Sequence, residues 1–256
     1  MPEGDTIHRL AGNLGPALTG ASVRRLHVHR TPPTRIPSDV SIDEVWAVGK
    51  HLLVRFDTGH LLDSHLLMNG SWDLYRRGDR WRKSRGAMRA VIETDAVEAV
   101  LFSTPKVRLL HPRDPAPRPW DQLGPDLCLP DVDLDTATER ARWLPADTEI
   151  AEVLLDQRPA CGIGNVYKSE TLWAERLHPT TPLGDVEDEL LRRLYETASR
   201  LLRHNLDRSR RVTFRDGLAV YGRDRRVCPR CATPIRVTKQ GGLGRVTYWC
   251  PTCQER

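Results

Sequence analysis

The sequence lacks any long hydrophobic run. Of its 256 residues, 39% are hydrophobic and 29% are charged, and no apolar stretch approaches the roughly 18 to 20 residues of a membrane-spanning helix. The first residues are charged and polar, unlike the apolar leader of a secreted protein. We therefore expect a globular cytoplasmic protein with no membrane partner.

Cysteine and lysine are both scarce. The chain has six cysteines, and because the cytoplasm keeps thiols reduced, they indicate a metal site or unpaired thiols rather than a disulfide framework. Lysine occurs five times beside 34 arginines. Lys50, just before an apolar strand, therefore indicates a need for a compact or titratable amine, although it could also be an ordinary surface lysine.

Positive charge is concentrated in two parts of the chain. Residues 203–256 carry a net charge of +9, whereas the rest of the chain carries −4. A second basic cluster lies in a turn-like stretch and contains Arg76, Arg77, Arg80, Arg82, Lys83, Arg85 and Arg89. Such clusters are typical of proteins that bind a polyanion.

Two Cys-x-x-Cys motifs lie near the end of the chain, with 18 residues between them. This spacing is typical of a four-thiolate zinc site, whose ligands would be Cys228, Cys231, Cys250 and Cys253. Protein would fill all four positions, so the Zn²⁺ would be structural. The residues between the motifs alternate around a glycine turn and predict a β-hairpin. Cys128 and Cys161 remain, and we interpret both as small buried hydrophobic residues.

The N-terminal part combines one helix with short strands. Apolar residues at helical spacing follow Asp5, a candidate N-cap, and predict a helix to about Ala17. Eight short apolar or alternating runs then predict a β-sandwich or barrel. These runs are Val23–Val28, Ile42–Val48, Leu52–Phe56, Leu61–Leu66, Trp72–Tyr75, Met88–Ile92, Val97–Phe102 and Val107–Leu110.

An aperiodic segment rich in proline and aspartate, residues 111–130, marks a linker. Helical spacing returns in Thr136–Trp143, Glu149–Leu155, Val166–Arg176 and Val186–Leu202. We therefore predict an α+β multidomain protein. Its parts are an N-terminal domain (1–112) with a helix and a β-sandwich, a linker (113–130), a helical domain (131–215) and a zinc-finger β-hairpin (216–256).

The first residues could supply a nucleophile. If Met1 is removed, Pro2 becomes an N-terminal secondary amine beside the carboxylate of Glu3. An α-amino group has a pKa of about 7.7 to 8, so part of it is unprotonated near neutral pH and can form a Schiff base with a carbonyl-like carbon. Alternatively, the proline simply follows the initiator methionine and has no chemical role.

A glycine-containing turn, Gly162-Ile163-Gly164-Asn165, precedes the third of the helices predicted after the linker. Two glycines allow a tight turn, so we expect main-chain N–H groups and the Asn165 amide to be presented at a helix start, where phosphates bind. Alternatively, Asn165 is only the N-cap of that helix.

Six motifs in order resemble one enzyme family. They are Pro2–Asp5, Gly49–Leu52, His65–Gly70, Leu123–Asp126, Gly162–Asn165 and the terminal zinc motif. Together they span nearly the whole chain and resemble the formamidopyrimidine-DNA glycosylase and endonuclease VIII family. The resemblance implies a bifunctional DNA glycosylase and abasic-site lyase that removes oxidised bases from double-stranded DNA. It also implies a β-sandwich, a helix-two-turn-helix domain and a zinc hairpin, and we expect a monomer associated with the nucleoid.

The resemblance also implies roles for three N-terminal residues. The Pro2 amine would attack the anomeric carbon of the sugar, expel the damaged base and form an imine to the opened sugar. Glu3 would be the general acid/base that serves the ring oxygen and later proton transfers. Lys50 would assist elimination and contact phosphate.

Further residues would bind DNA. Arg245 matches the family's finger arginine, which contacts phosphates beside the lesion and assists the second elimination, and Asn165 would hold another phosphate. Leu67, Met68 and Asn69 match the loop that fills the space left by the extruded base. Such a wedge offsets part of the cost of unstacking, which is a few kcal/mol.

Three departures from the formamidopyrimidine branch bear on the substrate. Ser103–Arg108 lacks the phenylalanine of that branch's opposite-strand reader, and only about fifteen residues separate the last helix from Val220, too few for the longer capping loop of the 8-oxoguanine enzymes. Thr6 replaces the family's usual glutamate. These differences favour the endonuclease VIII branch and oxidised pyrimidines. The alternatives are an enzyme specific for 8-oxoguanine and formamidopyrimidine, or a non-catalytic zinc-ribbon protein that binds nucleic acid.

Overall fold

The computed structural model describes residues 2–29, 40–113, 117–242 and 244–255. The chain divides into two compact units. One comprises Pro2 and Thr6–Trp120, and the other comprises Glu3–Asp5 and Asp121–Arg256. The finer domain boundaries expected from the sequence, including a separate hairpin domain from residue 216, stay a prediction.

The described residues form an N-terminal helix, a set of short strands, a helical region and a final hairpin. In chain order these are α1 (Gly4–Leu18), β1 (Arg25–Val28), β2 (Ile42–Val48), β3 (His51–Phe56), β4 (Leu61–His65), β5 (Ser71–Arg76), β6 (Met88–Glu93), β7 (Val97–Phe102), β8 (Val107–Leu110), α2 (Leu134–Ala141), α3 (Ile150–Val153), α4 (Asn165–Ala174), α5 (Asp188–His204), β9 (Arg236–Gln240) and β10 (Arg245–Trp249).

The eight strands predicted for the N-terminal part all occur. They form two antiparallel sheets, with strand orders β1-β6-β7-β5 and β2-β3-β4-β8. Successive side chains of a strand point to opposite faces, and the inward-facing residues of both sheets meet in one core with Leu14 and Leu18 of α1. Leu52 and Phe56 of β3 and Leu101 of β7 are fully buried there. The sandwich rather than the barrel is therefore correct.

The first helix begins two residues earlier than expected from an N-cap at Asp5. Because α1 starts at Gly4, Asp5 lies inside its first turn, where its side chain is buried. The prediction that Asp5 caps this helix is wrong, and its carboxylate has a different partner, described below.

The second unit is built around helix α5. Leu191, Leu194, Ala198 and Leu202 are fully buried in its core, and their spacing places them on one face of the helix. The helix starts at Asp188, two residues later than predicted, because the preceding chain makes a 3-10 turn (Leu183–Asp185) that ends at Val186.

Helix α2 is shifted from its predicted segment, and helix α3 is shorter than predicted. Helix α2 starts earlier because the Asp133 carboxylate accepts the N–H of Thr136 at 2.8 Å and so fixes the helix start. Helix α3 has only four residues.

The predicted zinc hairpin is present. Strands β9 and β10 pair antiparallel, with Arg245 opposite Gln240 and Trp249 opposite Arg236. Gly241 and Gly244 have φ values of 68° and 58°, a backbone conformation that favours glycine. The glycine turn expected from the sequence therefore occurs here.

Among the described residues, no helix has both the length and the apolar composition needed to cross a membrane.

Candidate active site and zinc centre

The Glu3 side chain lies at the N-terminus of α4 and is fully buried. Its carboxylate accepts three main-chain N–H groups, from Gly164 at 2.8 Å, Val166 at 2.9 Å and Tyr167 at 3.3 Å. The first N–H groups of a helix have no partner within the helix, and the helix dipole favours a negative charge there. The three donors suit an ionised carboxylate, which is purely an acceptor.

Glycine permits this close approach. A Cβ on Gly164 would lie 2.4 Å from Glu3 Cδ, and a Cβ on Gly4 would lie 2.8 Å from the Sγ of Cys128. The turn between the glycines is tight, as predicted, with Gly162 at a φ of 109°. The expectation that this helix start presents its main-chain N–H groups to phosphate is wrong for Gly164, Val166 and Tyr167, because Glu3 already accepts them.

Asp5 forms a two-pronged ion pair with Arg211. Both carboxylate oxygens accept from the guanidinium, each at 2.7 Å, and the two residues are 206 positions apart. Burial acts to lower the pKa of Arg211, but the hydrogen bonds and charge of Asp5 outweigh it and raise the pKa. The guanidinium also lies over the ring of Tyr167, 5.4 Å from its centroid. The pair therefore holds Arg211 beside the start of α4.

Pro2 belongs to the first unit and is half-buried. It is joined by a peptide bond to Glu3, the residue that carries the buried carboxylate. Met1 lies outside the described residues.

Lys50 lies in a two-residue turn between β2 and β3. Val48 pairs with His51 across this turn, and Gly49 has a φ of 56°, as hairpin turns with glycine in the first central position require. The turn leaves Lys50 half-buried, close enough to His65 for its charge to act on that residue.

His65 was not singled out from the sequence as a site residue. Burial, followed by the charges of His51, Lys106 and Lys50, lowers the pKa of His65 to about 4. The Nδ1 atom of His65 accepts the N–H of Leu67 at 3.1 Å. A ring nitrogen that accepts carries no proton, so the neutral imidazole holds the start of the turn that follows β4.

That turn contains the three residues expected to act as a wedge. Gly70 N–H donates to the Leu66 carbonyl at 2.8 Å and closes it. Met68 is 64% exposed, Asn69 is exposed and Leu67 is half-buried. The exposure of Met68 is what the wedge prediction requires, and the wedge role itself stays a prediction.

Asn165 is the first residue of α4, and Gly164 occupies the N-cap position. The alternative that Asn165 only caps the helix is therefore wrong. Its Oδ1 accepts from Nζ of Lys168 at 3.1 Å. Lys168 was missed by sequence reasoning, although it is one of only five lysines, and that scarcity is the signal that could have identified it.

Arg245 opens strand β10 and is exposed. Together with Lys168, Arg158, Gln240 and Gly241 it lines a cavity of about 420 Å³. Burial and then the charge of Arg245 lower the pKa of Lys168 to about 8. Two of the predicted phosphate-binding residues of this unit, Asn165 and Arg245, are thus both close to one buried lysine.

A second buried carboxylate on α4 holds the segment after α5. Glu170 accepts the N–H groups of Ala219, Val220 and Tyr221 at 2.8 to 2.9 Å, and the Thr213 hydroxyl also donates to it. Glu170 therefore holds the end of the short connection noted in the sequence, and also its middle at Thr213. No local sequence signal marks Glu170 for this role.

The four predicted zinc ligands converge. Their sulfur atoms all lie within 4.8 Å of one another, and the Cys228–Cys253 and Cys231–Cys250 pairs are 3.9 Å and 3.4 Å apart. Four sulfurs bound tetrahedrally at about 2.3 Å from zinc are roughly 3.8 Å apart, so the cluster fits the ion. Trp173 Nε1 donates to the Cys228 sulfur at 3.4 Å, which orients one thiolate. Cys128 and Cys161 are buried elsewhere, as predicted.

Among the described residues, the cations of both basic segments expected from the sequence are exposed, except for the half-buried Arg89, Arg211 and Arg223. In the first segment, the exposed cations are Arg76 at the end of β5 and, in the loop between β5 and β6, Arg77, Arg80, Arg82, Lys83 and Arg85. Arg85 lies over the ring of Trp81 and Arg82 over that of Tyr75, at 5.3 Å and 5.5 Å. Stacking orders these planar cations on the surface of the first unit.

Three family profiles match the chain in sequence order. "Formamidopyrimidine-DNA glycosylase N-terminal domain" matches residues 1–109, "Formamidopyrimidine-DNA glycosylase H2TH domain" matches residues 123–215, and "Zinc finger found in FPG and IleRS" matches residues 227–256. The last match and the sulfur cluster agree, and the four cysteines form a structural Zn²⁺ site.

Individual relatives extend over the whole chain. The protein named "Probable endonuclease 8 2" of Streptomyces coelicolor is 39% identical over 99% of this chain and 94% of its own length. "DNA-(apurinic or apyrimidinic site) lyase Nei2" of Mycolicibacterium smegmatis is 37% identical over 99% of both chains. The fold matches that of Lactococcus lactis formamidopyrimidine-DNA glycosylase, solved bound to DNA with an abasic site, with a TM-score of 0.83, 21% identity and complete coverage of both chains.

Proposed function

Because this chain belongs to the formamidopyrimidine-DNA glycosylase and endonuclease VIII family, it is a DNA glycosylase and abasic-site lyase of base excision repair, and we propose that it removes oxidised pyrimidines. In this proposal the amine of Pro2, exposed by removal of Met1, is the nucleophile. The strand is then cut by β- and δ-elimination.

One observation carries the mechanism: the residue after Pro2 is a fully buried carboxylate held by three N–H donors. An ionised carboxylate only accepts hydrogen bonds and so satisfies all three donors, and in this proposal Glu3 enters the reaction as a proton acceptor. Both oxygens are fixed by these hydrogen bonds, so the carboxylate has little side-chain freedom left to lose during the reaction.

The first step links Pro2 to C1′ of the sugar and breaks two bonds at that carbon. The Pro2 nitrogen bonds to C1′ of the nucleotide, and the glycosidic bond breaks as the base leaves with its electron pair and takes a proton from water. Glu3 accepts the proton from the new ammonium and returns it to O4′ when the C1′–O4′ bond breaks. The product is an iminium link between Pro2 and the opened sugar.

Two eliminations follow from the iminium. Water takes a proton from C2′ as the C3′–O3′ bond breaks, and then a proton from C4′ as the C5′–O5′ bond breaks, so that both phosphates leave as anions. Lys50 at its hairpin turn would stabilise charge at one phosphate. Arg245 on the exposed start of β10 would do so at the other.

DNA binding in this proposal uses cations and a wedge. The base must leave the duplex before its glycosidic carbon can be reached, and Met68, with its neighbours Leu67 and Asn69, would occupy the vacated space. Asn165 would bind a phosphate near the flipped nucleotide. The basic loop between β5 and β6 would add sequence-independent contacts to the backbone.

The substrate is inferred from the segments that differ from the purine-specific branch. Lys106 and Val107 stand in a stretch with no phenylalanine to insert opposite the lesion, and the connection from α5 to Val220 is short and tied down by Glu170. A short, fixed connection leaves no long loop to cap a large oxidised purine. Similarity to a relative named as an endonuclease 8 supports the choice of the endonuclease VIII branch, on which this inference rests.

Borohydride trapping tests the nucleophile. The matured protein is mixed with a duplex that carries an abasic site and reduced, and the covalent adduct is digested and located by mass spectrometry. The sugar remnant is expected on Pro2. A protein with an uncleaved extra residue before Pro2 serves as the control and should give no adduct at that position. A remnant on a lysine would overturn the proposal.

A lesion panel tests the substrate. Incision rates are compared on duplexes that contain thymine glycol, dihydrouracil, 8-oxoguanine or a plain abasic site. We expect the two oxidised pyrimidines to be cut faster than 8-oxoguanine. The opposite order would assign the chain to the purine-specific alternative, while leaving the lyase mechanism intact.

A further inference from the structure

Lys168 is a fully buried lysine that the proposed mechanism does not use. It lies on α4 one turn after Asn165 and has no exposed surface. Placing a lysine side chain in the interior is costly unless its ammonium is hydrogen-bonded. A lysine kept at this position therefore needs a physical reason.

The ammonium of Lys168 makes three hydrogen bonds. It donates to Asn165 Oδ1 at 3.1 Å, to the hydroxyl of Thr247 at 2.7 Å and to the carbonyl of Val246 at 3.3 Å. The last two acceptors belong to β10. The ammonium is thus anchored on the zinc hairpin and reaches from there to the first residue of α4.

The bond to Asn165 decides which way its amide faces. An ammonium can only donate, so the atom turned toward Lys168 must be the carbonyl oxygen of the amide. The NH₂ group of Asn165 therefore points away from Lys168. Phosphate oxygens accept hydrogen bonds, and the donor end of the amide is the end that could bind them.

We propose that Lys168 is a positioning residue, which orients the Asn165 amide as a phosphate donor and fixes it to strand β10. This inference rests on the proposed function, in which Asn165 contacts the DNA backbone. Without Lys168, the amide could rotate and present its oxygen, which would repel a phosphate.

The charged neighbours of the ammonium suit this role. Arg245 on β10 disfavours the charged form of Lys168. Glu3, whose carboxylate lies at the start of α4, and Glu152 on α3 favour the charged form. The two carboxylates help to keep the buried lysine charged. In this proposal Lys168 acts through the hydrogen bonds that its ammonium donates, and it makes no direct contact with DNA.

A double-mutant cycle tests the positioning. Binding to a duplex with a tetrahydrofuran abasic-site analogue is measured for the wild type, Lys168→Met, Asn165→Ala and the double variant. Lys168→Met is expected to weaken binding about tenfold in the wild type, as loss of a hydrogen bond to a charged group does. In the Asn165→Ala background the same change should cost less than about twofold.

Salt dependence separates positioning from direct contact. The slope of log affinity against log salt should be the same for Lys168→Met and the wild type, because Asn165 is neutral. A slope reduced by about 0.9 would mark Lys168 as a direct phosphate ligand. That result, or an equal loss in both backgrounds, would overturn the proposal.

Two further variants keep the test decisive. Lys239→Met removes the same charge from an exposed position of β9 and should show no coupling to Asn165. If Lys168→Met fails to retain zinc, Thr247→Val, which removes the shortest of the three bonds, goes through the same cycle with the same two outcomes.

The wild type in this series also reports on the proposed function. If it neither binds nor cuts the abasic duplex, the proposed function fails. If it does both and Lys168→Met binds equally well, only the role of Lys168 is refuted.

Discussion

The N–H of Gly164 donates to the carboxylate of Glu3 at 2.8 Å, although the two residues are 161 positions apart. The contact is possible because Gly164 has no side chain, since a Cβ there would lie 2.4 Å from Glu3 Cδ. The residue next to the proposed nucleophile is thus held by the start of a helix in the second unit.

Gly164→Ala should therefore displace the Glu3 carboxylate. We expect the free energy of unfolding to fall by about 1 to 3 kcal/mol, as for overpacking of a core, and strand incision to be lost. Urea unfolding and an incision assay measure the two effects. Gly12→Ala is the control, because Gly12 lies in α1 with open space around its Cα, and it should not destabilise the protein. Full activity of Gly164→Ala would show that the position of Glu3 does not matter.

Arg211→Met should be strongly destabilising. It leaves the buried carboxylate of Asp5 without its ion-pair partner, which costs about 3 to 5 kcal/mol. Arg192→Met breaks a comparable pair with the exposed Asp135 and should cost less than about 1 kcal/mol. Chemical denaturation of both variants makes the comparison. Equal losses would contradict the buried pairing of Asp5.

The stability of the protein should decrease in acid through His65. Its pKa is about 4 in the folded protein, against 6.5 for a histidine that is fully exposed to water, as in the unfolded chain. Because the unfolded chain binds the proton more tightly, this contribution is complete above about pH 6.5 and is lost as the pH falls toward 4. His65→Asn keeps an acceptor for Leu67 but does not titrate. Urea unfolding from pH 4 to 7 should give a flatter profile for this variant, and identical profiles would refute the assignment.

Removal of zinc should unfold the hairpin. The four cysteine sulfurs converge on one point, and a four-thiolate site contributes directly to the folding of such a module. Cys231→Ala should lose zinc and bind abasic duplex weakly, as should the chelated wild type. Cys128→Ala also removes a thiol but lies outside the cluster, so it should keep one zinc per chain. Zinc release is followed with a colorimetric indicator.

Met68→Ala should affect catalysis without affecting stability. The side chain is 64% exposed, so its truncation should change the free energy of unfolding by less than about 0.5 kcal/mol. Incision of a duplex lesion should slow about tenfold or more, while cutting of a single-stranded abasic substrate stays unchanged, because only the duplex needs a wedge. Leu74→Ala, at another exposed apolar position, is the control. An equal slowing on both substrates would argue against the wedge.

Features that depend on local spacing could be predicted from the sequence. The runs from Ile42 to Val48 and from Val97 to Phe102 were predicted with the bounds that the strands have, because alternation along a strand is a local property. The zinc motifs were equally clear, since two residues between paired cysteines place both sulfurs on one ion. Helix ends were less certain. Asp5 was misassigned as a cap because aspartate is common both at the N-cap and in the first turn of a helix, and the sequence does not distinguish these two positions.

The sequence alone therefore determined the strands, the helical segments and the two cysteine pairs of the metal site, because each of these depends on residues a few positions apart. Only the tertiary structure decided that Glu3 rather than phosphate accepts the N–H groups of α4, that Asp5 pairs with Arg211 and that Lys168 is buried beside Asn165. These contacts join residues through the packing of helices and strands, and a buried charge is placed by the partner it meets there. The spacing of residues along the chain does not indicate which partner that will be.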